Sequence, residues 1–143
     1  MAPIRLLFVC TGNSARSQMA EAFACAYGAG RVEAFSAGIE PKGLNPYAVE
    51  VMREKGIDLS QHTSKALCEV LARRMQYVIT VCGDAEERCP LLPPGVKRLH
   101  WPLADPARAQ GSAAEVREVF RGCRDEIDGR VRALLSELGI AAA

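Results

Sequence analysis

The chain has 143 residues, a length that fits one domain with a single hydrophobic core. Its formal net charge of +1 indicates no general attraction to nucleic acid or to a membrane surface. The amino terminus lacks a basic region followed by a long apolar stretch, and no segment reaches the roughly 18 apolar residues of a membrane span. The six cysteines are therefore expected to be reduced thiols in a cytoplasmic protein, in which a disulfide would be transient and catalytic.

The first predicted element is a strand that ends at a cysteine. Residues 6–9 (Leu-Leu-Phe-Val) form an unbroken apolar run, which is typical of a strand buried on both faces of a parallel sheet. Cys10 follows at the carboxyl end of this strand, and a helix is predicted from about Ser14. Gly12 and Asn13 tolerate positive φ, so the backbone N–H groups of the intervening loop can turn inward, towards the spot at which the helix amino terminus points.

This strand, loop and helix predict a cradle for an oxyanion. The inward N–H groups and the helix dipole favour a bound anion and the thiolate form of Cys10, and Arg16 can add a planar pair of donors. The Cys-x5-Arg spacing alone is weak evidence, because Cys25, Cys68 and Cys82 share it. Only Cys10 combines a strand before it, a glycine in the loop and a helix after it. The predicted oxyanion-binding residues are Thr11, Gly12, Asn13, Ser14, Ala15, Arg16 and Ser17.

The rest of the chain alternates between strands and helices. After the first helix, which is expected to end near residues 27–30, the predicted elements are a strand over 32–38, helices over 46–55 and 64–73, strands over 77–82 and 97–102, and a helix over 112–138. This alternation predicts an α/β fold, a single-domain, doubly wound four-stranded parallel sheet with helices on both faces. Ligands of such sheets bind at the carboxyl ends of the strands, so Cys10 and Cys82 are expected on one rim.

Two further cysteines, Cys82 and Cys89, flank a short segment after the third predicted strand. In a continuous helix their offset corresponds to a rise of about 10.5 Å, whereas a disulfide needs Cα atoms within about 7 Å. A bond between them therefore requires the segment to unwind, which Gly83 and the prolines after Cys89 favour. No second cysteine pair or histidine pair stands at ligand spacing, so no metal site is expected.

Three stretches resemble the thioredoxin-coupled arsenate reductases, which share the fold of low-molecular-weight tyrosine phosphatases. These stretches are residues 10–17 (Cys-Thr-Gly-Asn-Ser-Ala-Arg-Ser), residues 81–84 (Val-Cys-Gly-Asp) with the Cys-Pro pair at 89–90, and residues 100–106 (His-Trp-Pro-Leu-Ala-Asp-Pro). The resemblance runs through essentially the whole chain, and the three-cysteine pattern is specific to the reductases.

The resemblance implies reduction of arsenate to arsenite, in arsenic detoxification, by a three-cysteine relay without a cofactor. The Cys10 thiolate attacks arsenic, and Asp105 is implied as the general acid. Cys82 then attacks the Cys10 sulfur and arsenite leaves. Cys89 next moves the disulfide to a surface segment, where the partner protein thioredoxin can reduce it.

Side chains around the loop are expected to support Cys10. Ser17 is expected to hydrogen-bond to the Cys10 sulfur and help to keep it ionised. In some reductases of this type a potassium ion is bound by an acidic side chain together with residues matching Asn13, Glu21, Ser36 and Thr63. Lys65 stands at the place of that acidic side chain, and we expect its ammonium group to replace the cation.

Two other functions use the same cradle. A low-molecular-weight protein tyrosine phosphatase would employ Cys10, Arg16 and Asp105 on phosphate esters, but such enzymes usually carry aromatic residues directly after the Asp-Pro pair, where this chain has Ala-Arg-Ala. Cys82 and Cys89 would also be idle, so phosphatase activity is expected only as a weak by-product. A non-enzymatic thiol sensor or phosphosugar-binding regulator would need the cradle without the acid.

Several other side chains are predicted to be structural. Cys25, Cys68 and Cys123 are assigned to apolar helix faces as core thiols. Trp101 is expected to pack beside the active-site loop. The charged residues between Arg117 and Glu126 are expected to form a solvated helix face.

Overall fold

The computed structural model describes residues 2–140, which form a four-stranded sheet and the helices around it. The strands are β1 (Ile4–Cys10), β2 (Val32–Gly38), β3 (Tyr77–Thr80) and β4 (Lys97–His100). The helices are α1 (Arg16–Gly28), α2 (Pro46–Arg53), α3 (Glu69–Ala72), α4 (Gly83–Arg88) and α5 (Ala113–Glu137), with a 3-10 turn over Pro106–Arg108. All strand pairs are parallel, in the order β2-β1-β3-β4, which confirms the predicted α/β fold.

Strand β1 is the centre of the core. Its residues Leu6, Leu7, Phe8 and Val9 are all 0% exposed. Because successive side chains of a strand point to opposite faces, both faces of the sheet are covered at this strand. Among the helices, α5 packs against α1 and α2.

The topology brings the carboxyl ends of β1 and β3 to one rim. The chain leaves β1 for β2 on one side and later reaches β3 on the other, so the strand order reverses beside β1. Cys10 pairs with Gly38, and Val9 pairs with Thr80. Cys82 follows Thr80 by two residues and therefore lies on the same rim as Cys10.

The predicted helix over 64–73 is wrong in its first half. Residues 64–67 are extended, and only Glu69–Ala72 is helical. Gly38 N donates to Lys65 O (2.7 Å) and Leu67 N donates to Gly38 O (2.9 Å), so this segment extends the end of β2. Backbone groups that bond to a neighbouring strand cannot also form helical hydrogen bonds.

The predicted strand over 77–82 is two residues too long, because β3 ends at Thr80. Cys82 instead caps the amino terminus of α4, where its Sγ accepts a hydrogen bond from Ala85 N at 3.4 Å. The Cys82 thiol therefore lies in the short connection between β3 and α4.

The prediction of three core thiols is wrong for Cys25 and Cys68, which are exposed, and only partly right for Cys123, which is half-buried. Cys68 lies just before α3 rather than on a helix face, since the predicted helix does not form there. Burial raises the pKa of Cys123 to about 12. Trp101 packs against Phe8 of β1, with ring centroids 5.6 Å apart.

Arg124 contradicts the prediction of a solvated charged face on the last helix. It is 6% exposed, because its position faces α2. Its Nη1 donates to Val51 O (2.8 Å) and to Glu54 Oε1 (2.7 Å). Arg124 therefore satisfies a backbone carbonyl of α2 and the carboxylate of Glu54, which caps that helix. Among residues 2–140, no helix combines the length and apolar character needed to cross a membrane.

Candidate active site

The loop between β1 and α1 turns its N–H groups inward because its carbonyl groups are bonded on the outside. The outward bonds run from Glu40 N to Thr11 O (2.8 Å), from Lys42 N to Gly12 O (2.9 Å) and from Asn45 N to Ser14 O (2.9 Å). Asn13 adopts the left-handed conformation with φ 47°. A ring of inward N–H groups at the start of a helix is the arrangement that binds a tetrahedral anion.

Cys10 lies at the base of this cradle and is buried. Its Sγ accepts a hydrogen bond from Asn13 N at 3.1 Å, and the expected contact with Ser17 Oγ is present at 2.9 Å. Hydrogen bonds donated to a sulfur stabilise its thiolate form. Cys10 is therefore surrounded by the groups that a nucleophilic thiolate needs.

Behind Cys10 lies a hydrogen-bonded group of polar side chains. It includes Gln18 and His62, which sequence reasoning did not assign to the site. Asn13 Nδ2 donates to Ser17 Oγ (2.8 Å), and Gln18 Nε2 donates to Asn13 Oδ1 (3.0 Å). His62 Nδ1 lies 3.1 Å from Gln18 Oε1. The polar start of α1 (Arg-Ser-Gln) does not distinguish Gln18, and two of its partners, His62 and Thr63, come from a distant part of the chain.

Asn13 and Ser17, two of the predicted oxyanion-binding residues, belong to this group of buried polar side chains. Both are 0% exposed and lie behind the wall of the cavity rather than on it. Their observed contacts are with Cys10 and with each other, so they shape the loop from behind. The other predicted oxyanion-binding residues, Thr11, Gly12, Ser14, Ala15 and Arg16, all line the cavity.

Lys65 lies in the place expected for it. Its Nζ donates to Thr63 O at 2.6 Å and lies 3.9 Å from Glu21 Oε1, and the Glu21 carboxylate also accepts a hydrogen bond from Ser36. The ammonium group thus contacts Thr63 and Glu21, two of the residues expected around it. Within residues 2–140, no group of three or more His, Cys, Asp and Glu side chains could hold a metal ion.

Arg16 and Asp105 meet on the opposite side of the cradle. Arg16 is buried and donates from Nη1 to Leu103 O at 3.0 Å, while its Nη2 lies 3.8 Å from Asp105 Oδ2. Asp105 Oδ1 accepts a hydrogen bond from Ala107 N at 3.0 Å and so caps the 3-10 turn. These contacts hold the carboxyl group at the mouth of the cavity.

Cys82 faces the same cavity as Cys10. Thr11 Oγ1 lies 3.3 Å from Cys82 Sγ and donates to Asp84 Oδ2 at 3.0 Å. Since the single hydroxyl proton of Thr11 goes to Asp84, the Cys82 S–H donates to the Thr11 oxygen. Thr11 therefore joins the anion loop to the start of α4 and orients the second thiol.

Cys89 lies at the other end of α4 and is buried. Burial raises its pKa above the ordinary value of a thiol. The predicted surface position applies to the segment after Cys82 and Cys89 have formed a disulfide. In the reduced protein the Cys89 thiol is covered. The six residues of α4 separate it from Cys82, so the two sulfurs cannot bond while the helix is intact.

The cavity has a volume of about 670 Å³. Its lining residues are Cys10, Thr11, Gly12, Ser14, Ala15, Arg16, Lys42, Cys82, Gly83, Asp84, Leu103, Ala104, Asp105, Ala107 and Arg108. No aromatic side chain of the described residues lines it, as the Ala-Arg-Ala sequence after the Asp-Pro pair predicts. The described lining therefore includes no aromatic side chain that could stack against a phenyl ring.

Gly38 is a further site residue that sequence reasoning missed. A Cβ atom at this position would lie 2.8 Å from Asn13 N and 2.8 Å from Thr11 O, which are backbone atoms of the anion loop. Only glycine allows the end of β2 to approach the loop so closely. Its position opposite Cys10 was predictable only from the strand register.

The profile of the low molecular weight phosphotyrosine protein phosphatase family matches residues 5–142, so the chain belongs to this family. Within the family, the arsenate reductase of Bacillus subtilis (strain 168) is 49% identical over 127 residues, which are 89% of this chain and 91% of that protein. A solved arsenate reductase in its phosphate-binding state has a TM-score of 0.77 and 36% identity, and the match covers 94% of this chain and 98% of that one.

A thioredoxin-dependent arsenate reductase of Corynebacterium glutamicum has a TM-score of 0.76 and 33% identity. This match covers 96% of the present chain but only 63% of the other, so the chain spans less than two thirds of that structure.

Proposed function

We propose that this chain is an arsenate reductase of the phosphatase-like type, in which Cys10, Cys82 and Cys89 act in turn and thioredoxin restores the thiols. The observation that carries the proposal is the shared cavity of Cys10 and Cys82, with Cys89 at the far end of the helix that starts at Cys82. Two similar proteins, from Bacillus subtilis and Shouchella clausii, are named arsenate reductases, which supports the proposal. A supply of reduced thiols suits a cytoplasmic location.

In the first step the cradle binds arsenate, a tetrahedral oxyanion, through inward N–H groups and Arg16. The Cys10 thiolate attacks arsenic, an As–S bond forms, and one As–O bond breaks. Asp105 protonates the departing oxygen, which leaves as water. The position of Asp105 at the cavity mouth, 3.8 Å from the Arg16 guanidinium, supports this role.

In the second step Cys82 attacks the Cys10 sulfur. The S–S bond forms, the As–S bond breaks, and its electron pair stays on arsenic, so arsenate is reduced to arsenite. Cys89 then attacks Cys82, and Cys10 leaves as a thiolate. Thioredoxin's dithiol reduces the resulting Cys82–Cys89 disulfide and restores the starting protein.

The test is arsenate-dependent NADPH oxidation in the presence of thioredoxin and thioredoxin reductase. We expect Cys82→Ser to bind arsenate without multiple turnover. We expect Cys89→Ser to stop after one turnover with a Cys10–Cys82 disulfide, which peptide mapping detects. Cys68→Ser, which alters an exposed thiol outside the cavity, is the matched control. Normal turnover of Cys89→Ser with thioredoxin would refute the relay.

A second activity, slow hydrolysis of phosphate monoesters, is favoured by the pairing of the cradle with an acid at its mouth. The same Cys10, Arg16 and Asp105 can form and hydrolyse a phosphocysteine, without Cys82 or Cys89. We expect para-nitrophenyl phosphate hydrolysis to persist in Cys82→Ser and Cys89→Ser and to disappear in Cys10→Ser. Loss of hydrolysis in all three variants would contradict this assignment.

A further inference from the structure

Helix α4 is attached to the sheet through Glu86. The Glu86 carboxylate accepts a hydrogen bond from the Thr80 hydroxyl, and it lies 3.4 Å from Arg98 Nε and 3.6 Å from His100 Nδ1. The hydrogen bond from Thr80 lowers the pKa of Glu86, so the carboxylate is ionised at neutral pH. Since Thr80 ends β3 while Arg98 and His100 belong to β4, one side chain of α4 is bound to two strands.

The donor and acceptor in each hydrogen bond of the Thr80 hydroxyl follow from its single proton. The hydroxyl has a single proton, for which Glu86 is a closer acceptor than Leu99 O at 3.3 Å, and its oxygen lies 2.9 Å from His100 Nδ1. His100 therefore carries the proton on Nδ1 and donates to Thr80. The network supplies donors to the Glu86 carboxylate, directly from Thr80 and through Thr80 from His100.

The Arg98 guanidinium also hydrogen-bonds to backbone carbonyls on both sides of Cys89. Its Nη2 donates to Glu86 O, and its Nη1 donates to Pro90 O at 3.4 Å. Carbonyl groups in the last turn of a helix have no partner within the helix, so a cationic donor stabilises that end. Arg98 thus fixes the carboxyl end of α4, and Cys89 remains only 8% exposed.

We propose that Glu86 and Arg98 form a latch that keeps α4 folded while the thiols are reduced, and that opening of this latch sets the rate at which the disulfide passes from Cys10–Cys82 to Cys82–Cys89. This inference rests on the proposed relay. A helix of six residues has little stability of its own, so side-chain contacts decide whether it is folded.

The exchange that the latch controls is balanced within the chain. The Cys89 thiol gives its proton to solvent and its thiolate attacks the Cys82 sulfur. The Cys82–Cys89 bond forms, the Cys10–Cys82 bond breaks, and Cys10 leaves with the electron pair as a thiolate. The Cα atoms of Cys82 and Cys89 must first approach to within about 7 Å, which requires α4 to unwind. That movement separates the backbone around Cys89 from Arg98.

The first arm of the experiment measures opening of α4 in the fully reduced protein, with no arsenate present. The protein is alkylated with iodoacetamide, and peptide mapping gives the rate at Cys89 relative to the exposed Cys68. We expect Glu86→Ala to raise this ratio about tenfold, because it removes the hydrogen bond from Thr80 and the ion pair with Arg98 that hold the closed form. Arg98→Met should act in the same direction.

Two further variants separate the contacts of Glu86 from the general effect of losing a negative charge on α4. Glu87→Ala alters the neighbouring exposed glutamate of α4, which forms no hydrogen bond or ion pair within residues 2–140, and should leave the ratio at the wild-type value. Glu86→Gln keeps an acceptor for Thr80 but removes the charge beside Arg98, so an intermediate ratio is expected. If Glu86→Ala does not fold, Glu86→Gln and Arg98→Met decide the question.

Global destabilisation is distinguished from latch opening by Cys123, which is half-buried on α5. Opening of the latch raises labelling at Cys89 alone, whereas general unfolding raises labelling at both cysteines. A wild-type Cys89 ratio in folded Glu86→Ala and Arg98→Met would overturn the latch. A parallel rise at Cys123 would overturn it as well.

The second arm follows one turnover with arsenate, stopped with acid and mapped for the two disulfides. We expect the Cys82–Cys89 disulfide to form faster in Glu86→Ala than in wild type or Glu87→Ala. An unchanged or slower exchange would overturn the claim that the latch sets this rate. The first arm needs no arsenate, so failure of the proposed reductase activity and failure of the latch give different results.

Discussion

Replacement of Gly38 by alanine tests whether the shape of the anion loop controls activity. The added Cβ would lie 2.8 Å from Asn13 N, 2.8 Å from Thr11 O and 2.9 Å from Asn13 Cβ. Two of these three atoms belong to the backbone, so rotation of a side chain cannot remove the clash. Ordinary contacts begin near 3.4 Å, so the loop or the end of β2 must move by about half an ångström.

This movement has separate consequences for stability and for catalysis. Overpacking of a closely packed site costs about 1–3 kcal/mol, which we expect as a loss in the free energy of unfolding measured with urea. Displacement of a binding loop by a fraction of an ångström to one ångström costs on the order of tenfold to a hundredfold in rate. We therefore expect kcat/KM to fall within this range both for arsenate and for para-nitrophenyl phosphate.

The matched control is Gly122→Ala. Gly122 lies inside α5, far along the chain from the loop, and a Cβ there meets nothing within 4 Å. Alanine is favoured over glycine inside a helix, so this variant should keep wild-type activity and be at least as stable. Wild-type kcat/KM for both substrates in folded Gly38→Ala would refute the argument that the end of β2 shapes the anion loop.

Three further predictions concern single side chains. Ser17→Ala removes a hydrogen bond to the Cys10 sulfur and should slow disulfide formation in a single turnover with arsenate about tenfold; an unchanged rate would show that Asn13 N alone suffices. Asp105→Asn cannot donate a proton to the departing oxygen and should lower kcat by about a hundredfold or more, whereas Asp58→Asn, which alters an aspartate outside the cavity, should not. Burial raises the pKa of Cys123 to about 12, so iodoacetamide should label it much more slowly than Cys68 at neutral pH and faster as the pH rises towards 12; equal labelling at neutral pH would contradict that burial.

The first part of the fold was predictable because its determinants are local. The apolar run of β1, the glycine and asparagine of the loop and the following helix lie within one short stretch, and each has a distinct conformational preference. The helix over 64–73 failed for the opposite reason. Its first residues have acceptable helix propensity, but their backbone groups bond to Gly38, a contact between segments far apart in the sequence.

The candidate site divides in the same way. The three cysteines of the proposed relay and the Arg and Asp residues follow from spacing, strand ends and the family resemblance. Gln18 and Gly38 depend on tertiary contacts, with Thr63 O in one case and the loop backbone in the other. Arg124 was misassigned because helical periodicity does not show that a neighbouring helix, α2, covers part of the charged face.

The division of the site into a rigid and a movable part explains how one fold supports both phosphatase and reductase chemistry. The anion loop is held mainly by the ends of β1 and β2 and by buried side chains, and the Thr11 hydroxyl links it to Asp84 of α4. Helix α4 is short, and it is held by contacts of Glu86, and of Arg88 with Glu40 at 2.7 Å. Changes in these contacts can alter disulfide exchange without moving the nucleophile. In the proposed relay, a phosphatase cradle thus gains a redox cycle from a second thiol at the rim and a third thiol at the far end of a short helix.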